Sequence, residues 1–423
     1  MTETTRKVAF FFFETRDINT YPSITNAVRL LTENNYNVDL YLPSAMKSDS
    51  RFPGAAFIIV SRQNPYSYIS NSVKHIREND IYYDFLFAFS IEGLFVLSRL
   101  NKGRPNKIPS AYFSMELIYG DYLYKLFAEF VGGIRIRPLL PCLFGLSVRA
   151  KYLTTFSLYY YYLQSSGRKF VKFSIVQDEN RGKVLKSEFK FVDRIFCVPN
   201  SYIDYSDEFS DFAFRKFGIQ PDRKILLYTG SVEKGFDLSL FDMSRDLSDE
   251  YVLFINAYSR DRYLEKIMGN YGNEIKNGKL IFNRTNLNEE DYGNLVKSSH
   301  ICLAWYQKVD PEIFNMYYLG FSSGKLTKFL SCGRPVIAPN YFYGYHELID
   351  GNRLGGTCEC AKEIPGLLKH IEENYTAIRQ NIKKFYLKNL EFRKKFEPVM
   401  IEMGRYIDNA DLSNKNSNKA KDD

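Results

Sequence analysis

The 423-residue sequence contains no run of about 18 apolar residues, the length that a membrane-spanning helix requires. An apolar run near its start, Val8–Phe13, is too short for the core of a signal peptide and is followed by the charged residues Glu14, Arg16 and Asp17. A buried strand is the better interpretation of this run. The sequence therefore predicts a protein without a spanning helix.

Residues that bind metals or form disulfides are also scarce, with only four histidines and six cysteines. The pair Cys358 and Cys360 has no second pair or nearby histidine to complete a metal site, and no Asp-x-Asp motif occurs. A reduced, cytoplasmic protein with no metal site is the expectation. The six cysteines are scattered, at Cys142, Cys197, Cys302, Cys332, Cys358 and Cys360.

The composition that is present, 45% apolar and 25% charged residues, is that of an ordinary globular protein with a sizeable core. The length suits two domains of roughly 200 residues each. In the first half, predicted strands alternate strictly with helices, which indicates a parallel, doubly wound sheet. The strands are Lys7–Phe13, Val38–Leu42, Phe57–Ser61, Phe85–Phe89 and Ser110–Ser114; the helices are Ile24–Asn34, Tyr66–Glu78 and Ile91–Leu100.

No Gly-x-Gly-x-x-Gly motif follows the first strand, so dinucleotide binding by this half has little support. Ligands of such sheets bind beyond the carboxyl ends of the strands, which makes Glu14, Arg16, Ser90, Glu92 and Glu116 candidate site residues. For each of these residues the alternative is a solvated loop side chain.

Residues 121–173 form a basic, aromatic and aliphatic stretch with eight basic and two acidic residues, a local balance of +6 in a chain of net charge +8. Basic charge beside apolar patches is typical of a surface that binds anionic membranes. Two core-packing helices with solvated basic edges are an equal alternative. Nucleic acid is the least favoured partner, because no recognisable binding motif accompanies the charge.

The second half carries the most informative stretch, Gly320–Asn340, which reads GFSSGKLTKFLSCGRPVIAPN. Ser322 or Ser323 caps a predicted short helix, Gly333 ends it, and the strand Pro335–Ala338 follows. Gly324 lets a ligand approach the unpaired N–H groups at the helix start, and Lys325 adds a positive charge. This arrangement predicts a cradle for a diphosphate, with an ordinary helix-to-strand connection as the alternative.

The stretch SSGKLTKFLSCGRPVIAP resembles the donor-site signature of GT-B glycosyltransferases. The Pro199-Asn200-Ser201 sequence resembles the end of the N-terminal domain in that family, and Gly230 with Lys234 resembles its phosphate-binding segment, although Ser231 stands where the family has an arginine. Gly320 and Lys328 occupy the positions of two glutamates that many members carry. The ribose contact and the anomeric outcome are therefore not implied.

The resemblance implies an α/β fold of two doubly wound, Rossmann-like domains that face each other across a cleft. The expected organisation is an acceptor domain at 1–205, a nucleotide-sugar domain at 206–375, a helix at 376–408 that returns to the first domain, and a disordered tail at 409–423. The donor would be held by Gly230, Lys234, Ser322, Ser323, Gly324, Lys325, Lys328 and Arg334, with Glu116 as the catalytic residue.

The implied activity is metal-independent transfer of a hexosyl group from a UDP-sugar or GDP-sugar to a saccharide or lipid-linked acceptor. The resemblance places this activity in bacterial surface polysaccharide or glycoconjugate synthesis, with no further cofactor. The expected location is cytoplasmic, with residues 121–173 as a peripheral contact on the inner face of the plasma membrane. A catalytically silent partner protein that binds sugar nucleotides is one alternative. A nucleotide-sugar 2-epimerase or hydrolase is another.

Overall fold

The computed structural model describes nine segments of the chain, which are residues 5–13, 21–43, 55–60, 65–115, 166–187, 194–232, 236–258, 263–308 and 314–422. The contacts divide the chain into two compact units. The first unit comprises Met1–Thr20, Ile24–Val198 and Arg393–Asp423, and the second comprises Tyr21–Ser23 and Pro199–Phe392. The chain passes from the first unit to the second at Pro199, six residues before the end of the expected acceptor domain at residue 205.

The first unit contains a seven-stranded sheet in the order β3-β2-β1-β4-β5-β6-β7, in which every described pair is parallel. Its strands are β1 (Lys7–Phe11), β2 (Asn37–Leu42), β3 (Ala55–Ile59), β4 (Phe85–Ala88), β5 (Ser110–Phe113), β6 (Val171–Val176) and β7 (Ile195–Cys197). Its helices include α1 (Pro22–Glu33), α2 (Pro65–Glu78), α3 (Ile91–Asn101) and α4 (Glu179–Ser187).

Helix packing in this unit follows the apolar pattern of the sequence. The stripe of Ile24, Ala27, Val28 and Leu31 on α1 is fully buried, as the 3.6-residue period predicts. Helix α3 lies unusually close to the sheet, because a Cβ on Gly93 would be only 2.8 Å from the carbonyl oxygen of Phe11. The absence of a side chain at this position therefore permits the close packing.

The second unit contains a six-stranded parallel sheet in the order β10-β9-β8-β11-β12-β13. Its strands are β8 (Lys224–Ser231), β9 (Tyr251–Tyr258), β10 (Leu280–Asn283), β11 (Ile301–Leu303), β12 (Val336–Pro339) and β13 (Gly355–Cys358). Its helices are α5 (Phe212–Phe217), α6 (Ser239–Asp242), α7 (Tyr263–Asn270), α8 (Gly272–Lys276), α9 (Glu289–Ser298), α10 (Phe314–Tyr317), α11 (Gly324–Ser331), α12 (Tyr345–Ile349), α13 (Ile364–Glu373) and α14 (Tyr375–Asn389).

The predicted pair of doubly wound sheets is confirmed. In each sheet the strand order reverses once, between β1 and β4 in the first and between β8 and β11 in the second. Such switch points are where ligands bind in open α/β sheets. Helix α11 follows the predicted pattern: its apolar face of Leu326, Phe329 and Leu330 is fully buried, and Gly333 follows it with a φ of +64°.

The C-terminal region differs from the single helix expected at residues 376–408. The structure has two helices there, α14 and α15 (Phe392–Asp422). The Ser201 hydroxyl donates to the carbonyl oxygen of Leu390, and the N–H of Phe392 donates to the carbonyl oxygen of Tyr202. These bonds take over backbone groups that a continuous helix would pair internally.

Helix α15 belongs to the first unit. The ring of Tyr406 stacks on Phe173 with centroids 6.2 Å apart, and the buried Glu402 forms a 2.5 Å ion pair with Arg194. The helix continues through residues 409–422, where the polar composition predicts disorder. No helix in the described segments combines the length and the apolar character needed to span a membrane.

Candidate functional site

The candidate site lies at the switch point of the second sheet, where the carboxyl ends of β8 and β11 meet the start of α11. Gly230 is near the end of β8, and Trp305 and Tyr306 follow β11. The side chain of Lys325, from the first turn of α11, reaches both strand ends. Three separate stretches of sequence thus converge on one ammonium group.

Lys325 occupies an aromatic cage. Its Nζ lies 4.2 Å from the ring centre of Tyr306 and 4.4 Å from that of Tyr228, and it donates a 3.1 Å hydrogen bond to the carbonyl oxygen of Trp305. The negative faces of the two rings favour a cation at this position. Within the described segments, no carboxylate forms an ion pair with this ammonium.

Gly230 makes room for the ammonium group. Its φ of +140° lies in a region that L-residues rarely adopt, and a Cβ built on it would be 3.1 Å from Lys325 Nζ. Any side chain here would both strain the backbone and displace the lysine. The glycine that the sequence predicts as a phosphate contact therefore shapes the space around the cation.

Ser323 caps α11, as the sequence predicted. Its hydroxyl accepts a 3.1 Å hydrogen bond from the N–H of Leu326 and is also bonded to the phenol of Tyr306. The first N–H groups of a helix have no hydrogen-bond partner within the helix, and they carry the positive end of the helix dipole. Together with Lys325 they form a compact positive centre suited to a diphosphate.

Asn200 fixes the loop that leads into this helix. Its amide nitrogen donates to the carbonyl oxygen of Ser322 at 3.2 Å, and its side-chain oxygen accepts from the N–H and hydroxyl of Ser23 at 3.1 and 2.9 Å. Its own carbonyl oxygen accepts a 2.6 Å bond from the hydroxyl of Thr327. From the sequence, Asn200 is only part of the Pro199-Asn200-Ser201 motif at the domain end. That motif is the available sequence signal for its role in the site.

Burial lowers the pKa of Lys325 to about 7, and this desolvation is the only cause of the shift. Burial raises the pKa of the neighbouring Tyr306, which therefore stays neutral near physiological pH. An anion that enters the site would supply the counter-charge that the cage lacks. The charge state of the site consequently changes near neutral pH.

We expect the affinity for a nucleotide sugar to fall about tenfold between about pH 6.5 and about pH 8.5, because the amine loses its proton through this window. A nucleotide sugar is the suitable probe: both of its phosphates are diesters, whereas a terminal phosphate has its own pKa of about 6. Isothermal titration calorimetry at several pH values measures this affinity. In Lys325→Arg, whose guanidinium does not deprotonate, the profile should be flat; a flat wild-type profile would contradict the assignment.

The structure brings Gly230, Ser323, Gly324 and Lys325 together. The carbonyl oxygen of Ser322 accepts a hydrogen bond from the side chain of Asn200, and the Ser322 hydroxyl donates to the carbonyl oxygen of Leu319. Glu116 and Lys234 lie outside the described residues, so their proposed roles stay predictions.

Lys328 and Arg334 are not part of this cluster. Lys328 Nζ lies 4.3 Å from the ring centre of Tyr202, one helical turn beyond Lys325. Arg334 precedes β12 and therefore lies at the opposite, amino-terminal edge of the sheet. It is 2% exposed and donates a 2.7 Å bond to the carbonyl oxygen of Glu208, a structural role.

The aromatic cage was not identified from the sequence. Trp305, the single tryptophan of the chain, is fully buried and donates its indole N–H to Asp237 at 3.3 Å. Tyr228 and Tyr306 come from strands that are distant in sequence. Their positions at strand ends were the only available signal, because tyrosine occurs 33 times in the chain.

No protein-family model and no curated protein sequence matches this chain. Solved structures do match it. HepE from Anabaena in complex with UDP aligns with a TM-score of 0.64 and 11% identity, over 94% of this chain and 100% of that chain. WaaG, a glycosyltransferase involved in lipopolysaccharide biosynthesis, aligns with a TM-score of 0.58 and 15% identity, over 93% and 99%.

Sucrose-phosphate synthase from Thermosynechococcus elongatus aligns with a TM-score of 0.61 and 12% identity, over 96% of this chain and 100% of that chain. HepE is also solved with UDP-glucose, with a TM-score of 0.63 to this chain, 11% identity, and 94% and 99% of the two chains covered. At these identities the likeness establishes a shared fold.

Proposed function

We propose that this chain, which has the fold of GT-B glycosyltransferases, transfers a glycosyl group from a nucleoside-diphosphate sugar to a saccharide or lipid-linked acceptor. The observation that carries the proposal is Lys325, an ammonium held beside a helix start at a switch point, with no carboxylate partner among the residues that the structure describes. A partly buried charge of this kind is costly unless a ligand neutralises it. A diphosphate has the charge and the hydrogen-bond acceptors to do so.

In the proposed reaction, the bond between the anomeric carbon and the diphosphate oxygen breaks, and its electron pair stays on the diphosphate. The oxygen of an acceptor hydroxyl bonds to the anomeric carbon, and its proton passes to a base, for which Glu116 is the candidate. Lys325 and the N–H groups at the start of α11 would stabilise the departing charge. Lys234 is proposed as a second cation. These groups support a mechanism that needs no metal ion.

A uridine donor is the first to test, because HepE, which shares this fold, is solved with UDP and with UDP-glucose. A GDP-sugar remains the second candidate. WaaG acts in lipopolysaccharide biosynthesis, and this supports a role for the present chain in bacterial surface polysaccharide or glycoconjugate synthesis. A hexose is the proposed transferred group.

The second candidate function is that of a catalytically silent protein that binds sugar nucleotides. The observation in its favour is Lys328, which stands where the family has a glutamate and packs its ammonium on the ring of Tyr202. Gly320 occupies the other glutamate position. A protein that only binds a donor has no need for either carboxylate.

A thermal-shift panel of UDP, GDP and other nucleoside diphosphates tests the donor site, since a ligand that binds the native state raises the melting temperature. We expect clear stabilisation by one nucleotide. Release of that nucleotide from its sugar conjugate in the presence of a lipid-linked or saccharide acceptor then separates the transferase from the silent binder. An unchanged melting temperature with every nucleotide would refute both functions.

We further propose peripheral attachment to the anionic, cytoplasmic face of a membrane. Residues 121–165 of the basic stretch lie outside the described segments, but α2 and α3 of the first unit provide support. A groove of about 640 Å³ lies between them. Its apolar floor includes Val73 and Phe95, and its cations are Lys74, Arg77, Arg99 and Lys102. In the described segments, only Lys74 of these four forms an ion pair. Apolar surface with these cations at its rim, beside the single Glu78 carboxylate that pairs with Lys74, suits anionic headgroups.

Co-sedimentation with phosphatidylglycerol vesicles should show binding that the double variant Arg77→Gln/Arg99→Gln weakens about 30-fold, because each basic side chain near an anionic surface contributes about 1 kcal/mol. The control Lys183→Gln/Lys186→Gln removes the same charge from the exposed side of α4 and should bind like the wild type. Equal binding to phosphatidylcholine vesicles would count against membrane attachment.

A further inference from the structure

Three tyrosines form a partly exposed aromatic cluster in the second unit, here called the tyrosine shelf: Tyr317, Tyr318 and Tyr343. The ring of Tyr343 lies 4.9 Å from that of Tyr318 and 5.9 Å from that of Tyr317, centre to centre. Tyr343 is 47% exposed. The N–H of Tyr343 donates a 3.1 Å bond to the carbonyl oxygen of Tyr317, which fixes the two loops against each other.

The shelf lies at the same edge of the sheet as Lys325. Its residues follow β11 and β12, which are adjacent and parallel, with Cys302 paired to Val336. Loops that leave the carboxyl ends of neighbouring parallel strands lie side by side. The phenol of Tyr341, two residues before Tyr343, donates to the carbonyl oxygen of Tyr306, the residue whose ring contacts the Lys325 ammonium. The loop that carries Tyr343 therefore contacts the cage through Tyr341.

The strand order shows on which side of the cage the tyrosine shelf lies. A diphosphate at the switch point between β8 and β11 has β9 and β10 on one side and β12 and β13 on the other. The ends of β9 and β10 carry the amides of Asn256 and Asn283, bonded to each other at 2.7 Å. The Asn283 amide is buried and also bonded to Thr285, so it holds the Asn256 amide in place, and an amide such as that of Asn256 suits the polar edge of a nucleobase. The end of the ligand opposite the nucleobase would then lie on the β12 side, where the tyrosine shelf is.

The chemistry of the shelf fits a sugar ring. Aromatic faces carry partial negative charge, and the C–H groups on one face of a pyranose carry partial positive charge, so the two stack favourably. Within the described segments, the hydroxyls of Tyr317 and Tyr343 form no hydrogen bond with the protein. They are therefore available to sugar hydroxyls, as donors and as acceptors.

We propose that the tyrosine shelf stacks against the glycosyl ring of the bound donor and so contributes to the selection of the sugar. This inference rests on the proposed function, since it assigns one end of the donor whose diphosphate occupies the Lys325 cage. The shelf would act on the sugar and leave the affinity for the free nucleotide unchanged.

The test compares a nucleoside diphosphate with its sugar conjugate, UDP with UDP-glucose and GDP with GDP-mannose, by calorimetry. In Tyr318→Ala/Tyr343→Ala, the ratio of the conjugate Kd to the nucleotide Kd should rise about fivefold, because an aromatic face is removed from the sugar alone. The double variant Tyr318→Phe/Tyr343→Phe keeps the faces and should keep most of the wild-type ratio. Tyr82→Ala, at an exposed tyrosine of the first unit, controls for loss of a surface ring.

An unchanged ratio in the double alanine variant would overturn the shelf while the nucleotide site stands. Equal weakening of nucleotide and conjugate would also overturn it, because the rings would then contact the nucleoside or support the fold. If the wild type binds no nucleotide at all, the proposed function fails, and the shelf inference fails with it. Melting temperatures of all variants separate altered binding from unfolding.

Discussion

Lys325→Met should reduce the affinity for the nucleoside diphosphate that binds the wild type by about 100-fold, because hydrogen bonds to a charged group contribute about 1.5–3 kcal/mol. The methionine fills a similar volume between the rings of Tyr228 and Tyr306 but carries no charge. The N–H groups of α11 remain, so weak residual binding is expected. Calorimetry on the purified full-length variant measures the loss.

The same variant should be at least as stable as the wild type without ligand. The unfolded lysine keeps its proton up to a pKa of about 10.4, whereas the folded one releases it at a pKa of about 7. Between these values the unfolded state binds more protons, so the free energy of unfolding of the wild type rises with pH. Lys325→Met removes this rise. A variant that binds nucleotide normally would refute the assignment of Lys325, and one that fails to fold would refute its description as a partly buried charge without an ion pair in the described segments.

Asn200→Ala should lower the free energy of unfolding by about 3 kcal/mol, because buried polar groups left without a partner cost about 1–3 kcal/mol each. The substitution strands the carbonyl oxygen of Ser322 and removes the acceptor of the Ser23 N–H and hydroxyl. The loop that presents Ser323 and Gly324 then loses its anchor. We therefore expect nucleotide affinity to fall more than tenfold even at temperatures where the variant is fully folded.

A matched control for this prediction is Asn101→Ala. Asn101 is fully buried in the first unit, where its side chain bonds both the N–H and the carbonyl oxygen of Ile108 at 2.7 and 3.3 Å. Its loss should cost a similar free energy of unfolding, measured by chemical denaturation, and leave nucleotide binding intact. If both variants lost affinity equally, Asn200 would act through general stability and not through the loop.

Sequence reasoning performed best where periodicity was strong. Helix α3, predicted at Ile91–Leu100, spans Ile91–Asn101, because the side chain of Ser90 caps its start. Strand ends were predicted a residue or two long, as for Lys7–Phe13 against the observed Lys7–Phe11. The break between α14 and α15 has no glycine or proline to announce it, since it arises from bonds with Ser201 and Tyr202, far away in sequence.

Within the candidate site, motif spacing predicted that neighbouring residues of one stretch lie at the same helix start. It could not predict contacts between residues that are far apart in sequence. Ser323, Gly324 and Lys325 are consecutive, so their placement at one helix start follows from local capping rules. Arg334 belongs to the same stretch, yet the helix between them carries it to the opposite edge of the sheet. The sequence could not show this, because a motif gives order along the chain and not distance in space.

The sequence by itself determined the alternation of strands and helices, the two parallel sheets and the helix start that bears Lys325, because these depend on residues that are close along the chain. Only the tertiary structure decided that Tyr228, Tyr306 and the carbonyl oxygen of Trp305 surround that lysine, that Asn200 holds its loop, and that Arg334 lies elsewhere. The physical reason is that the pKa and charge of a buried group depend on the neighbours that folding brings together, and those neighbours come from strands many residues apart.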